Sequence, residues 1–229
     1  MTTNMKTIFE NYRKSVKEEK VLQEQEMRGK LDKIIQKMRE QEDSYIAIVK
    51  HANIGRFVAM TFELYVGGIL FGEIDIEQNK KPCLNSFQIV NSESEKGFGP
   101  IIYEVALEWS SMNGGGLTSD RYSVSSDASS VWDKYVRNRS DVKKAQMDID
   151  KSASTIKATI DQTDYKDKDE IINLPQLTPN IPDDDCVQVS STLDKGLENW
   201  NDSDLSKVYF KEEPEVMEIL KKLGMLKFR

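Results

Sequence analysis

A chain of 229 residues suits one domain with appendages or two small domains. With 38% hydrophobic and 31% charged residues and a mean hydropathy of −0.58, it is polar for a single compact globule, so a core joined to long solvated segments is expected. The net charge of −7 argues against a generic nucleic-acid binder, because phosphate contacts need clustered Lys and Arg.

Cys83 and Cys186 stand far apart with no CxxC pattern, so neither a disulfide framework nor a zinc site is expected. His51 is the only histidine, which leaves little material for a metal site or a Ser-His-Asp triad. No apolar run reaches the roughly 18 residues that span a membrane, and no signal-peptide core is visible. The expectation is a cytoplasmic protein with reduced thiols, no metal and no membrane association.

Residues 5–42 read as a helix. Ile8, Tyr12 and Val16 are four apart, and after a polar middle Met27, Leu31, Ile34, Ile35 and Met38 resume a face. A helix of this length cannot bury one face on a small domain alone. Docking onto a protein partner, or self-association, is therefore expected of residues 5–42, against the plainer reading of a solvated arm. From Tyr45 the period changes to two. Residues 45–50, 56–66 and 68–77 are rich in β-branched and aromatic types, with a turn at 53–56 and a Gly67-Gly68 hairpin turn. Residues 87–90 add a fourth strand.

The stretch 83–135 is the most informative. It reads as strand, glycine-bracketed turn, amphipathic helix, short strand and second helix. Gly97 and Gly99 flank Phe98, Pro100 follows, and Ile101, Ile102, Val105, Ala106 and Trp109 recur at helical spacing. Proline suits the first turn of a helix, where its missing N–H has no intrahelical partner. Glycines just before it let backbone N–H groups approach a ligand, so the turn is a candidate anion site, usually for phosphate. A plain strand-to-helix connection is the competing reading.

Residues 87–110 (FQIVNSESEKGFGPIIYEVALEWS) resemble motif A of the GNAT superfamily, the acyl-CoA-dependent N-acetyltransferases. There a strand leads through an Arg/Gln-x-x-Gly-x-Gly/Ala loop into a helix. Here residues 87–90 take the strand, Lys96, Gly97, Phe98 and Gly99 the loop, and Ile101 onward the helix. Residues 114–132 (GGGLTSDRYSVSSDASSVW) resemble the next family elements, and also a tail found in phage-encoded proteins. The chain departs from the pattern in three places. Ser94 stands at the loop's Arg/Gln. The second-helix tyrosine that serves many members as general acid falls on Trp132, with Tyr135 one turn later. No room exists for the two helices usual between the first and second strands.

The helix over 100–112 stops at Asn113 and Gly114–Gly116. Ser125 or Ser126, beside Asp127, caps a helix over 128–137, whose Val131 and Trp132 are expected in the core. Residues 138–182 read as a polar insertion, partly helical, ending in an extended linker with Pro175, Pro179 and Pro182. Strand character resumes at 186–189 and in a last strand at 208–210, and Pro214 starts a closing helix. The fold class is thus α+β with a mixed sheet: a helical arm (1–43), a GNAT-like core (44–137), the insertion (138–182), and strands and a helix completing the core (183–229).

The resemblance implies acetyl-CoA as cofactor. Its pyrophosphate would rest on backbone N–H groups of Lys96, Gly97, Phe98, Gly99 and Ile101. Ile89, Val90 and Asn91 would line the pantetheine arm, one backbone N–H polarising the thioester carbonyl. Glu73 and Glu93 are the candidate general bases, and Tyr122 and Tyr135 the candidate acids. Two functions follow: an N-acetyltransferase acting on an amine, or a non-catalytic assembly protein of a phage particle that binds phage structural proteins through its helix. The expected location is the host cytoplasm or the virion.

Overall fold

The structure, a computed structural model, describes residues 5–51, 59–78, 86–119, 124–137, 139–146, 156–158, 172–174 and 207–229. Helix α1 (Met5–Arg39) precedes an antiparallel meander of β1 (Tyr45–Lys50), β2 (Ala59–Val66), β3 (Ile69–Gln78) and β4 (Phe87–Ser94). Then come α2 (Gly99–Asn113), β5 (Leu117–Thr118), α3 (Ser126–Arg137), β6 (Lys143–Gln146), β7 (Ile156–Ala158), β8 (Ile172–Leu174), β9 (Lys207–Phe210), α4 (Glu215–Lys222) and β10 (Leu226–Phe228). The main sheet runs β10-β1-β2-β3-β4-β5-β9-β6, while β7 and β8 form a separate pair among the described residues. The β1–β10 and β4–β5 pairs are parallel and the others antiparallel, which is the expected α+β mixed sheet.

Alternation sorts the meander into two faces. Ile46, Ile48, Phe62, Leu64, Ile74, Ile76, Phe87 and Ile89 are buried on one face. There Trp109 of α2 meets the edges of Phe62 and Phe87, with ring centroids 5.9 and 5.1 Å away. Residues 101–108 of α2 are all buried, so this helix is central rather than amphipathic. Leu31, Ile34, Ile35 and Met38 from α1, with Val216, Met217 and Leu220 from α4, join the same core. The second half of α1 is therefore part of the domain and not a free arm. On the other face Thr61, Glu63, Glu73, Asp75, Asn91 and Glu93 follow one another across the strands.

The Gly67-Gly68 turn forms as expected, with φ of 60° and 77°. Its N–H groups donate to Ser44 Oγ and the Asp43 carbonyl, tying the hairpin to the connection between α1 and β1. Ser125 caps α3, its Oγ accepting the Ala128 N–H at 3.2 Å.

Two further expectations need correction. The strand at β9 is not the last. The closing helix ends at Lys222, the chain turns at Gly224 (φ 71°), and β10 pairs in parallel with β1. Residues 143–146, placed in the insertion, belong to the sheet: β6 is its edge strand against β9. The expected turn at 53–56, both cysteines, Tyr122 and the strand at 186–189 lie outside the described residues.

Candidate functional site

The turn between β4 and α2 is built from its backbone. Glu95 N–H donates to the Phe71 carbonyl, Phe98 N–H to Glu95 at 3.1 Å, and Ile101 N–H to Phe98 at 3.3 Å. Gly97 has φ of 92°, the left-handed region that a side chain strains to reach. Phe98 occupies the cap position of α2 and supplies no side-chain hydrogen bond. The N–H groups of Lys96, Gly97 and Gly99 have no acceptor among the described residues. The Phe98 ring meets that of Phe71 edge to face with centroids 5.2 Å apart, and Lys37 Nζ lies 6.0 Å from its centroid. Any side chain on Gly99 would start 3.0 Å from Ser94 Oγ, so the strand end and the helix start approach closely here.

Beside the turn the pairing of β4 with β5 is short among the described residues. β4 and β5 pair only through Phe87 with Leu117 and Gln88 with Thr118. Thr118 Oγ1 reaches the Phe87 carbonyl at 3.3 Å where the strands part. From Ile89 onward β4 has no parallel neighbour among the described residues. Its register against β3 jumps between Asp75 and Ile76, leaving Val90 as the extra residue of a β-bulge. Ser92 and Tyr103 share a hydroxyl–hydroxyl hydrogen bond of 3.0 Å. Tyr103 then meets the indole of Trp132, which stacks on Tyr209 of β9 with centroids 5.2 Å apart. Trp132 is 2% exposed and a core residue, as expected.

On the polar face His51, Thr61, Glu63, Glu73, Asp75, Glu77 and Val90 line an open depression. Glu63, Glu73 and Glu93 stand directly opposite one another on β2, β3 and β4. Like charges so placed destabilise a sheet. Partial burial, then the charges of Asp75, Glu63 and Glu93, raise the Glu73 carboxyl above its ordinary range. His51 Nε2 lies 2.6 Å from Thr61 Oγ1, and Thr61 donates to Asp75.

The structure thus brings Glu73 and Val90 into one depression, with Asn91 bonded to Asp75 at its side. Glu93 and Lys96 are exposed. Ile89 and Ile101 do not present side chains to a ligand, because both are buried against the helix side of the sheet. Tyr135 lies on α3, and its side chain is outside the described residues.

One charged cluster has no counterpart in the sequence reading. Glu104 and Glu108 are buried on α2. Glu104 takes both terminal nitrogens of Arg139, which also binds Asp141. Lys211 Nζ bridges Glu104 and Glu108 at 2.8 Å each. Glu108 in turn accepts the Val216 and Met217 N–H groups at 3.0 and 2.7 Å, capping α4. Burial pushes the Glu104 carboxyl up, but Arg139 and Lys211 outweigh it and the group lies below its usual range. For Glu108 burial prevails and the carboxyl is raised. The one hint in the sequence is a pair of glutamates four apart inside the apolar run of α2.

Among the described residues no group of three or more His, Cys, Asp or Glu could hold a metal ion. No described helix is long and apolar enough to cross a membrane. Comparison with protein-family models, curated proteins and solved structures finds no match to this chain.

Proposed function

We propose that the chain carries an acyl-CoA-dependent N-acyltransferase domain of the GNAT type. The observation that carries this reading is the parting of β4 from β5 beside a bulge at Val90 and a glycine turn into α2. A wedge between parallel strands, opening next to an uncapped helix N-terminus, suits a long ligand with an anionic end. The phosphates would take the N–H groups of Lys96, Gly97 and Gly99, where the α2 dipole favours negative charge. The acyl arm would run along the outer edge of β4 to Val90, whose displacement from the ladder re-aims the strand at that point. When bound, acetyl-CoA supplies the activated acyl group. Glu73 sits near Val90 with its carboxyl raised, which suits a base that takes a proton from an amine near neutral pH. Ile101 is left out of the phosphate set, since its N–H already donates to Phe98.

Calorimetric titration of the full chain with acetyl-CoA tests this. Wild type is expected to bind at micromolar concentration, and Gly97→Asp, Gly99→Asp to lose binding while still melting cooperatively. No binding by folded wild type at millimolar ligand would sink the proposal.

A second reading, a non-catalytic assembly protein of a virion, has one observation in its favour. The packed stretch of α1 begins near Met27, while Val21 and Leu22 are 43% and 66% exposed. Failure to bind acetyl-CoA, together with sedimentation of the full chain as an oligomer, would favour it.

A further inference from the structure

Helix α1 carries two stripes. Leu31, Ile34, Ile35 and Met38 pack into the domain core, and among the described side chains Met27 is the first to reach it. Leu22 lies nine positions before Leu31, half a turn around a helix of 3.6 residues per turn, and is 66% exposed. Counting back from Leu22, positions 19, 15, 12, 8 and 5 recur alternately three and four apart, the spacing of a seam between two helices. They hold Glu19, Ser15, Tyr12, Ile8 and Met5. The stripe that enters the core and the seam that runs to Leu22 are thus on opposite sides of the helix. Residues 5–26 extend for about 33 Å, a length at which an unpacked helix is only marginal in water.

The charges on this segment say what the seam fits. Residues 5–16 carry a net charge of +2 and residues 18–29 one of −2, with Lys17 between them. Each half is the complement of the other, so the surface that matches both is a second copy running in the opposite direction. Turned about Lys17, two copies set Tyr12 against Leu22, Ser15 against Glu19 and Ile8 against Glu26. The basic half of each then lies along the acidic half of the other. A parallel pair would instead stack Glu19 on Glu19 and like charge on like charge.

We propose that two copies of this chain associate through residues 5–29 of α1 as an antiparallel, two-fold symmetric helix pair. The pairing is independent of the acyl-transfer reading above. The Ser15 hydroxyl donates to the Glu19 carboxylate of the other copy, a polar layer that fixes the register. Because the apolar layers are few, the dimer dissociates in the micromolar range and is not obligate.

Sedimentation of the full chain over a concentration series tests this, with a reversible dimer expected for wild type. Leu22→Lys sets a cation against the basic half of the other copy and removes an apolar contact, and should weaken the dimer about tenfold or more. Leu22 is exposed, so the melting transition of the domain should stay in place. Orientation is read by disulfide cross-linking in chains that also carry Cys83→Ser and Cys186→Ser. Ile8→Cys mixed with Glu26→Cys should cross-link. Ile8→Cys alone should not, because the two copies of that position lie about 27 Å apart along the pair, far beyond the reach of a disulfide. A cross-link in Ile8→Cys alone would overturn the antiparallel arrangement. A wild-type monomer up to millimolar concentration, or a dimer indifferent to Leu22→Lys, would overturn the surface. A monomer that binds phosphatidylserine vesicles would assign the stripe to an anionic membrane instead.

Discussion

Arg139 shows how much one residue can hold when its partners are buried. Its guanidinium neutralises Glu104 and reaches Asp141, and both partners of the first pair are buried, Arg139 at 6% and Glu104 at 1% exposure. Breaking such a pair strands a buried charge. Arg139→Ala is expected to cost about 3–5 kcal/mol at neutral pH. Glu104 is ordinarily a group of pKa 4.5 and lies lower in the folded chain, so its contribution is present above pH 4.5 and is lost as pH falls through the folded value. The penalty of the substitution should therefore shrink in acid, where Glu104 no longer carries the stranded charge. Urea denaturation of both proteins at pH 7 and near pH 4 reads this directly. Within residues 99–113 only the spacing of Glu104 and Glu108 hinted at the cluster. Glu104 and Glu108 look like the polar positions of an amphipathic helix, and their partners lie 35, 107 and 103 positions away.

At the level of elements, what was legible is what local chemistry decides. The Gly67-Gly68 hairpin, the Ser125 cap and the passage from β4 through Gly97 into α2 each rest on residues adjacent in the chain. β6 and β10 do not. Lys143–Gln146 has no strand period, and Leu226–Phe228 is three residues long, so both are strands only because β9 and β1 offer edges to them. The contact of α2 with the sheet has a local requirement of its own. A methyl group on Gly72 would lie 2.6 Å from Ile102 Cδ1, 2.8 Å from Ser94 Cβ and 2.9 Å from the Glu93 carbonyl. Gly72→Ala should push α2 from β3 and cost about 1–3 kcal/mol by overpacking, measurable as a lowered Tm. Should the glycine turn bind phosphate, the same variant should weaken acetyl-CoA as well, because Ser94 leads directly into that turn.

For the whole molecule, the core comes from both ends of the chain. Its composition announced a core with polar appendages, but not that α1 and α4 flank one central helix or that the polar region from 138 returns a strand to the sheet. Glu73 on β3 and the end of β4 that leads into the glycine turn do lie near one another, since the meander was readable from its period. The ion pairs that join α2 to Arg139 and to Lys211 were not, because pairing between distant charges leaves no pattern in sequence. One consequence concerns β9, which lies between β5 and β6 although residues 147–206 separate it from β6 in the chain. Hydrogen bonds on both its edges, Lys211 in the charged cluster, and β10 on β1 hold residues 207–229 to the rest without help from the connecting backbone. The protein should therefore work as two pieces. Fragments divided at about residue 180, expressed together with a tag on one, are expected to copurify and to melt as a unit, and Arg139→Ala should loosen their union.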